Sequence, residues 1–515
     1  MEEMKDGSES FAGVILKASS LIFVYLIIQR AFGYFFNSIL TKTVSQADYG
    51  GYTFAWSVAM FATGIFLLGM PHATSRYIAY YRGKDDAESI DSVIKTGFTI
   101  TVLLTFIATM LFIGVITLFP TILSLTYSLT LFTLSILIIW SIGSFFSHGI
   151  LTGYRRPEIS GFFAMLHPVL SVTFILIVVF LGYGFTHILA AITLAFLLSN
   201  LFAMTYALKN YRIKGKIRWE MAKKLLTFGV PIVAIDTSNN LLAWADIFLI
   251  KLFRGFSDLG IYWASTITAN LLLLFSQPLI SIFSPIVAEL FGKKDTQRLS
   301  FMISYLIERY CLLTLPILTV FIIFPSGILK TIFTEDYTAG TLPLQIYSTA
   351  MLLYGLSTIL QTVITGSGKP RHVARIIIIA AIANVMLNLI LIKPYGITGA
   401  STATLCSSSF ILTASYLHTR KIIKFTIHRD RYTKILTSLT ATITVIYMIK
   451  LTIPNLPLAL TTSIITLPVT YIALLLTLRA LREEDLTLLE MILQKMKIPA
   501  DTERRILKVL KKGVS

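Results

Sequence analysis

Apolar positions along this chain come in long blocks. Fourteen stretches, the first over 13–37 and the last over 456–478, each run about twenty residues or more with few charges inside. A hydrocarbon layer of roughly 30 Å needs about 20 apolar residues of helix to cross it. The blocks therefore predict an all-α integral membrane protein, multi-pass in the cell membrane, with about fourteen transmembrane helices. "PTILS" separates 96–119 from 124–149, and "GYGFTH" separates 159–181 from 186–208. Breaks this short mark tight turns between antiparallel helices. Other blocks cover 54–79, 226–250, 258–290, 372–392 and 396–418.

Composition agrees with that pattern. Of 515 residues, 55% are hydrophobic and 14% charged, too little charge to cover a soluble surface of that size. The net charge of +18 raises the question of a nucleic-acid partner. Its distribution excludes one. Lys and Arg crowd into alternate connections, as with Lys209, Arg212, Lys214, Lys216 and Arg218, and are several-fold rarer in the connections between. That asymmetry is the positive-inside rule. It predicts that both termini and the basic loops are cytoplasmic, with membrane lipid headgroups as further partners of the basic residues. The opening "MEEMKDGSES" lacks the basic start of a secretory signal, so the first span is expected to be retained. Cys311 and Cys406 lie inside apolar runs and read as small core residues, not as a disulfide or metal pair.

Several short motifs return in order at nearly constant spacing. "LTGYRRP", ending at Pro157, returns as "ITGSGKP", ending at Pro370. Lys42 in "ILTK" pairs with Lys251 in "FLIK", and Asp48 in "DYGGY" pairs with Asp258 in "DLGIY". Lys84–Asp85 pairs with Lys294–Asp295, and Tyr183 with Tyr395. Together they predict that spans seven to twelve repeat spans one to six. Six is an even number, so the copies run in the same direction as a parallel repeat. The expected organisation is an N-lobe over 1–222, a C-lobe over 223–427, two extra helices over 428–480 and an amphipathic cytoplasmic tail over 481–515. Two matched bundles suggest a transporter that rocks one lobe against the other. No enzyme is expected, because neither H-E-x-x-H nor G-x-S-x-G occurs. "GSGKP" fails as a phosphate loop, since Val363 stands where its first glycine belongs and Pro370 where Ser or Thr would hold magnesium.

Lys17, the Arg30-x-x-Gly33 pair, Leu40-Thr41-Lys42 and the run from Ala47 to Tyr52 resemble the opening of Wzx-like polysaccharide flippases. These belong to the multidrug/oligosaccharidyl-lipid/polysaccharide exporter superfamily. The "TG-x-x-(R/K)-P" loops are similar to that family too, and the two extra helices resemble its fourteen-helix members. The resemblance implies translocation of a polyprenyl-linked sugar from the cytoplasmic to the outer leaflet by alternating access. The partners it implies are the lipid-linked glycan and proteins of glycan assembly. An ion gradient or the membrane potential would supply the energy, with sodium and protons both open and no cofactor expected.

Ionisable residues deep in the spans are the candidates for chemistry. Arg30 lies 13 residues after Lys17 and 12 before Lys42, about 18–20 Å from either flank. A central arginine costs about 2.5–3.5 kcal/mol on insertion scales. It reads either as a structural ion pair or as a hook for the phosphate or pyrophosphate of a lipid carrier, which its planar fork suits. Arg76 reads as a snorkelling residue or as a second hook nearer the cytoplasm. Asp236 sits ten residues into its span, and Asn384 and Asn388 share one helix face a turn apart. Similar lipid II flippases use the corresponding spans for a sodium site. Asp236, Asn384 and Asn388 are therefore candidate ligands for a coupling ion, with interhelical hydrogen bonding as the alternative. Glu308 and Arg309 read as an inner-interface pair, and His167 as a packing residue. A rival function is a cation-coupled multidrug antiporter of the same superfamily, and a third is a non-transporting scaffold for glycan assembly. The antiporter calls for an acidic residue deep in the N-lobe. Asp48, Asp85, Asp86, Glu88, Asp91 and Glu158 all fall in connections instead.

Overall fold

The computed structural model of the chain describes residues 24–211, 215–425 and 429–480. Among them every regular element is a helix. Among the described residues nine helices are long and apolar enough to cross a membrane, or ten when one bent pair counts as a single span. The chain is thus a multi-pass membrane protein. The tail over 481–515 and the start of the first block lie outside the described residues.

Helix α1 covers 24–43. It is followed by α2 (Gln46–Phe66), α3 (Met70–Arg82), α4 (Ala87–Leu118), α5 (Tyr127–Ser144), α6 (Pro157–Phe180) and α7 (Phe185–Asn210). Next come α8 (Trp219–Arg254), α9 (Phe256–Ala269), α10 (Ser276–Gly292), α11 (Thr296–Ile323) and α12 (Thr341–Gly366). The last are α13 (Pro370–Ile422), α14 (Arg429–Thr452) and α15 (Leu456–Thr477). Their starts carry ordinary caps. Ser45 Oγ accepts from Asp48 N at 3.1 Å and donates to Asp48 Oδ2 at 2.7 Å, closing the first turn of α2.

Two blocks differ from their sequence reading. The block 54–79 is two helices, α2 and α3, bent by 48°. The bend falls at Gly69, whose φ of 66° is left-handed, and a Cβ there would come 2.7 Å from the Gly229 carbonyl oxygen. The block 258–290 is α9 and α10 joined by a 3₁₀ turn at Asn270–Leu274. The blocks 372–392 and 396–418 are two helices, as expected, that meet within α13 at a kink where Gly396 is non-helical (φ 57°, ψ −137°). Cys406 is exposed, not packed in a core.

The chain divides into two compact units, one of residues 1–268 with Ile377–Ser407 and one of Ala269–Ile376 with Ser408–Ser515. The core of the first is built from Met70, Phe145, Phe146, Ile150, Leu151 and Leu225. Within this unit α2 meets α9 backbone to backbone. A Cβ added at Gly50 would collide with the Phe256 carbonyl and lie 3.0 Å from Gly260 N. Small residues at such crossings let membrane helices approach closely. The core of the second unit gathers Phe283, Val287, Ile303, Tyr310, Ile359 and Val363.

The matched motifs have matching backbones. Arg155 N donates to Thr152 O and Gly368 N to Thr365 O, both at 3.0 Å. Arg155 and Gly368 both have left-handed φ, 60° and 79°. The next residues, Arg156 (−120°, 51°) and Lys369 (−113°, 45°), each precede the proline that opens a helix. Asp86 and Asp295 are N-caps that accept from Ser89 N at 2.9 Å and Arg298 N at 3.0 Å. They follow left-handed Asp85 (54°) and Lys294 (56°). Geometry therefore aligns Asp86, not Asp85, with Asp295. A further match, absent from the sequence reading, is Phe119–Pro120 with Phe324–Pro325. Each phenylalanine ends a helix in similar backbone, (−132°, 59°) and (−119°, 38°), before a short proline-led helix, Pro120–Leu123 or Pro325–Ile332.

Candidate functional site

Arg30 lies on α1 in line with Tyr34, Asn37 and Thr41, one face of a helix. That face is turned inward. The Tyr34 hydroxyl pairs with Thr268 Oγ1 at 3.1 Å, and Asn37 Oδ1 accepts from the Tyr49 hydroxyl at 2.8 Å. Asn37 and Thr41 are buried, whereas Phe35 on the opposite side is 63% exposed. Arg30 continues that stripe toward the start of the described helix. It is exposed and makes no hydrogen bond or ion pair among the described residues. The structural ion pair weighed from sequence is thus absent among them. A guanidinium at this depth needs water or an anion to offset its desolvation.

Arg76, on α3, is exposed, with its guanidinium carbon 4.0 Å from the Phe228 ring centroid and 5.6 Å from that of Tyr77. Stacking occupies the flat face of the group and leaves its N–H edge open to an acceptor. Asn384 and Asn388 are buried, and Asn388 Nδ2 donates to Asn384 Oδ1 at 2.9 Å. That bond leaves Asn388 Oδ1 and Asn384 Nδ2 buried without a partner among the described residues. Asp236 is in α8, but its side chain lies outside the described residues. Among the described residues no group of three or more His, Cys, Asp or Glu is placed to hold a metal.

Two buried acidic groups stand out. Asp246, 3% exposed, accepts from the Tyr262 hydroxyl and from Ile247 N, tying α8 to α9. The sequence reading passed over it, although a carboxylate inside "AWADIFLIK" is a depth signal like that of Asp236. Glu308, 1% exposed, takes Arg309 Nη2 at 3.0 Å, and Arg431 Nη1 lies at 3.8 Å. The pair belongs to a buried ion cluster linking α11 to α14.

The model of the family described as polysaccharide biosynthesis protein matches residues 15–291, and that of MatE matches residues 231–390. The chain is 27% identical over 212 residues to the "probable low-salt glycan biosynthesis flippase Agl15" of Haloferax volcanii. That match covers 41% of this chain and 45% of the relative, so it spans less than half of that protein. An uncharacterized membrane protein of Methanocaldococcus jannaschii is 25% identical over 281 residues, 51% of this chain and 65% of the relative. Among solved structures, the lipid II flippase MurJ, inward closed, matches with a TM-score of 0.73 at 14% identity, covering 88% of this chain and 97% of that one. An inward-facing multidrug resistance MATE family transporter of the MOP superfamily matches with 0.64 at 16% identity, covering 78% and 98%. At such identities the structures speak to the fold alone.

Proposed function

The chain belongs to the polysaccharide biosynthesis protein family, and from that premise we propose that it is a flippase for lipid-linked glycans. The anionic head of a polyprenyl phosphate or pyrophosphate enters against Arg30 while the lipid tail stays in the bilayer. The observation that carries this reading is the exposed, unpaired guanidinium of Arg30 on the helix stripe that bears Tyr34, Asn37 and Thr41. A fixed fork of donors at membrane depth is suited to phosphate oxygens. Arg76, stacked on Phe228 with its edge free, serves as a second contact for the head group.

The finer architecture belongs to the same proposal: fourteen spans, two six-helix lobes divided near residue 222, and cytoplasmic termini. The matching backbones at Arg155 and Gly368 and at Asp86 and Asp295 support an internal repeat. The alternating basic connections support the orientation. Movement of one lobe against the other then carries the head across. Asp236 with the Asn384–Asn388 pair is the proposed coupling-ion site, supported by the unpartnered Asn388 Oδ1. A hard cation takes such oxygens.

The MatE match favours a second reading, export of amphipathic cations. In α2 to α7 the acidic side chains stand at or near helix starts, as with Asp48, Asp86 and Glu88, so a cation deep in these helices has no counter-charge from them. The separating experiment reconstitutes the full chain in proteoliposomes with a fluorescent polyprenyl-phosphate sugar. Leaflet exchange faster than in protein-free vesicles supports the flippase. Exchange at the protein-free rate, with uptake of a quaternary ammonium dye, overturns it.

A further inference from the structure

The first unit encloses a cavity of about 140 Å³. A single water needs roughly 10–15 Å³ by the same measure, so the space holds a ligand far larger than one water. Its wall is aromatic on one side. Trp56 stacks on His167 at 5.8 Å between ring centroids, Trp140 stacks on Phe196 at 5.7 Å, and Phe196 meets Trp56 edge-on at 5.5 Å. These rings come from α2, α5, α6 and α7, helices far apart in sequence. Each aromatic face carries negative charge density that attracts polarised C–H groups.

The other side is polar but uncharged. Gln29, Ser147, Ser199 and Asn200 line it, and no Asp, Glu, Lys or Arg does. Ser147 Oγ donates to Gly143 O at 2.9 Å and Asn200 Nδ2 to Phe196 O at 2.8 Å. Those bonds fix the side chains and leave their oxygens free to accept. His167 Nε2 is buried and has no hydrogen-bond partner among the described residues. An unmade bond of this kind costs about 1–3 kcal/mol and calls for a polar group from outside.

Each candidate ligand must satisfy both walls. A phosphate would find no Lys or Arg among the lining residues, only the imidazoles of His148 and His167. A quaternary ammonium would find aromatic faces but no counter-charge, and it would leave His167 Nε2 unpaired. A hydrocarbon tail would strand the amides. A sugar ring offers C–H faces for the aromatics and hydroxyls that both donate and accept for Gln29, Asn200, the serines and His167.

We propose that this cavity is the binding site for one uncharged pyranose ring of the lipid-linked glycan. Gln29 lines it and adjoins Arg30 in the chain, so sugar and phosphate would be gripped from one stretch of α1. Naming the sugar as part of a flipped substrate rests on the flippase reading; occupancy of the cavity by a pyranose does not.

The test uses the full-length protein in a detergent without a sugar head group, read by saturation-transfer difference NMR. The probes are the methyl pyranosides of glucose, galactose and mannose, with choline as the rival. The expected result is saturable transfer to ring protons of at least one pyranoside at millimolar concentration. It should fall at least fivefold in Trp140→Leu and in Ala164→Phe, the second filling the cavity without removing an aromatic. Thermal melting identifies a variant that has lost its fold, and the other variant then decides. Absence of transfer to all three pyranosides, transfer that both folded variants keep, or preferential transfer to choline overturns the site. Pyranoside binding without lipid exchange would refute the flippase reading and leave the sugar site standing. Exchange without pyranoside binding would do the reverse.

Discussion

An arginine in the middle of a membrane helix must be offset by water, an anion or a carboxylate. Arg30 was legible in the sequence because its distance from Lys17 and Lys42 rules out an easy escape to either surface. What the sequence could not supply was its direction. The stripe of Tyr34, Asn37 and Thr41, with Phe35 exposed on another side, shows which face of α1 is packed farther along the helix. The asparagine pair was also legible, because residues four apart share a face, and Asn388 does bond to Asn384. If these amides and Asp236 hold sodium, the wild type gains stability with sodium, by about 2.7 kcal/mol at a hundred times the dissociation constant. Asp236→Asn should lose that gain in a thermal melt. A sodium-dependent rise that persists in the variant would remove Asp236 from the site. The partners of Glu308 were not legible, because apolar flanks locate a span without saying what faces it. Its carboxylate holds Arg309 and Arg431. Glu308→Ala leaves two guanidinium groups without it, and breaking a buried ion pair costs about 3–5 kcal/mol. A melting temperature within a degree of wild type would show that the cluster contributes nothing to stability.

Helices announce themselves as apolar blocks because the bilayer demands an uninterrupted length of them. Bends do not. The break between α2 and α3 falls in "FLLGMP", residues 66–71, where hydropathy does not change; its cause is the left-handed Gly69 pressed against Gly229. The same blindness hides the crossing of α2 and α9. Gly50 and Gly260 look like ordinary small residues until a Cβ is placed on either. Gly50→Ala should lower stability by about 1–3 kcal/mol, since the methyl group displaces the Phe256 backbone. Gly33→Ala is the control: nothing lies within 4 Å of its added Cβ, and alanine gains up to about 1 kcal/mol over glycine inside a helix. Equal melting temperatures for the two variants would contradict the close crossing. The sugar-sized cavity was illegible for a related reason. Its aromatics lie on four helices, and no spacing within any one of them marks the others.

For the whole molecule, charge and repetition carried the most information. Basic connections support the proposed orientation because translocation across a membrane discriminates against them, whatever their local structure. The proposed repeat rests on loops that need particular backbones. Left-handed φ at Arg155 and Gly368 and a proline two residues on constrain those loops more than their side chains do. The pairing at Asp85 slipped by one residue because sequence aligned the charges, whereas the N-cap bonds align Asp86 with Asp295. Glycan and carrier chemistry enter only through side chains, and Arg30 is where the account places the most weight. The deciding measurement is leaflet exchange of a polyprenyl-phosphate sugar by proteoliposomes of Arg30→Ala, with folding checked by thermal melting. The account predicts that exchange falls to the protein-free rate while the variant melts like wild type, and that Arg30→Lys keeps part of the activity. A folded Arg30→Ala protein that flips the lipid at the wild-type rate would contradict it.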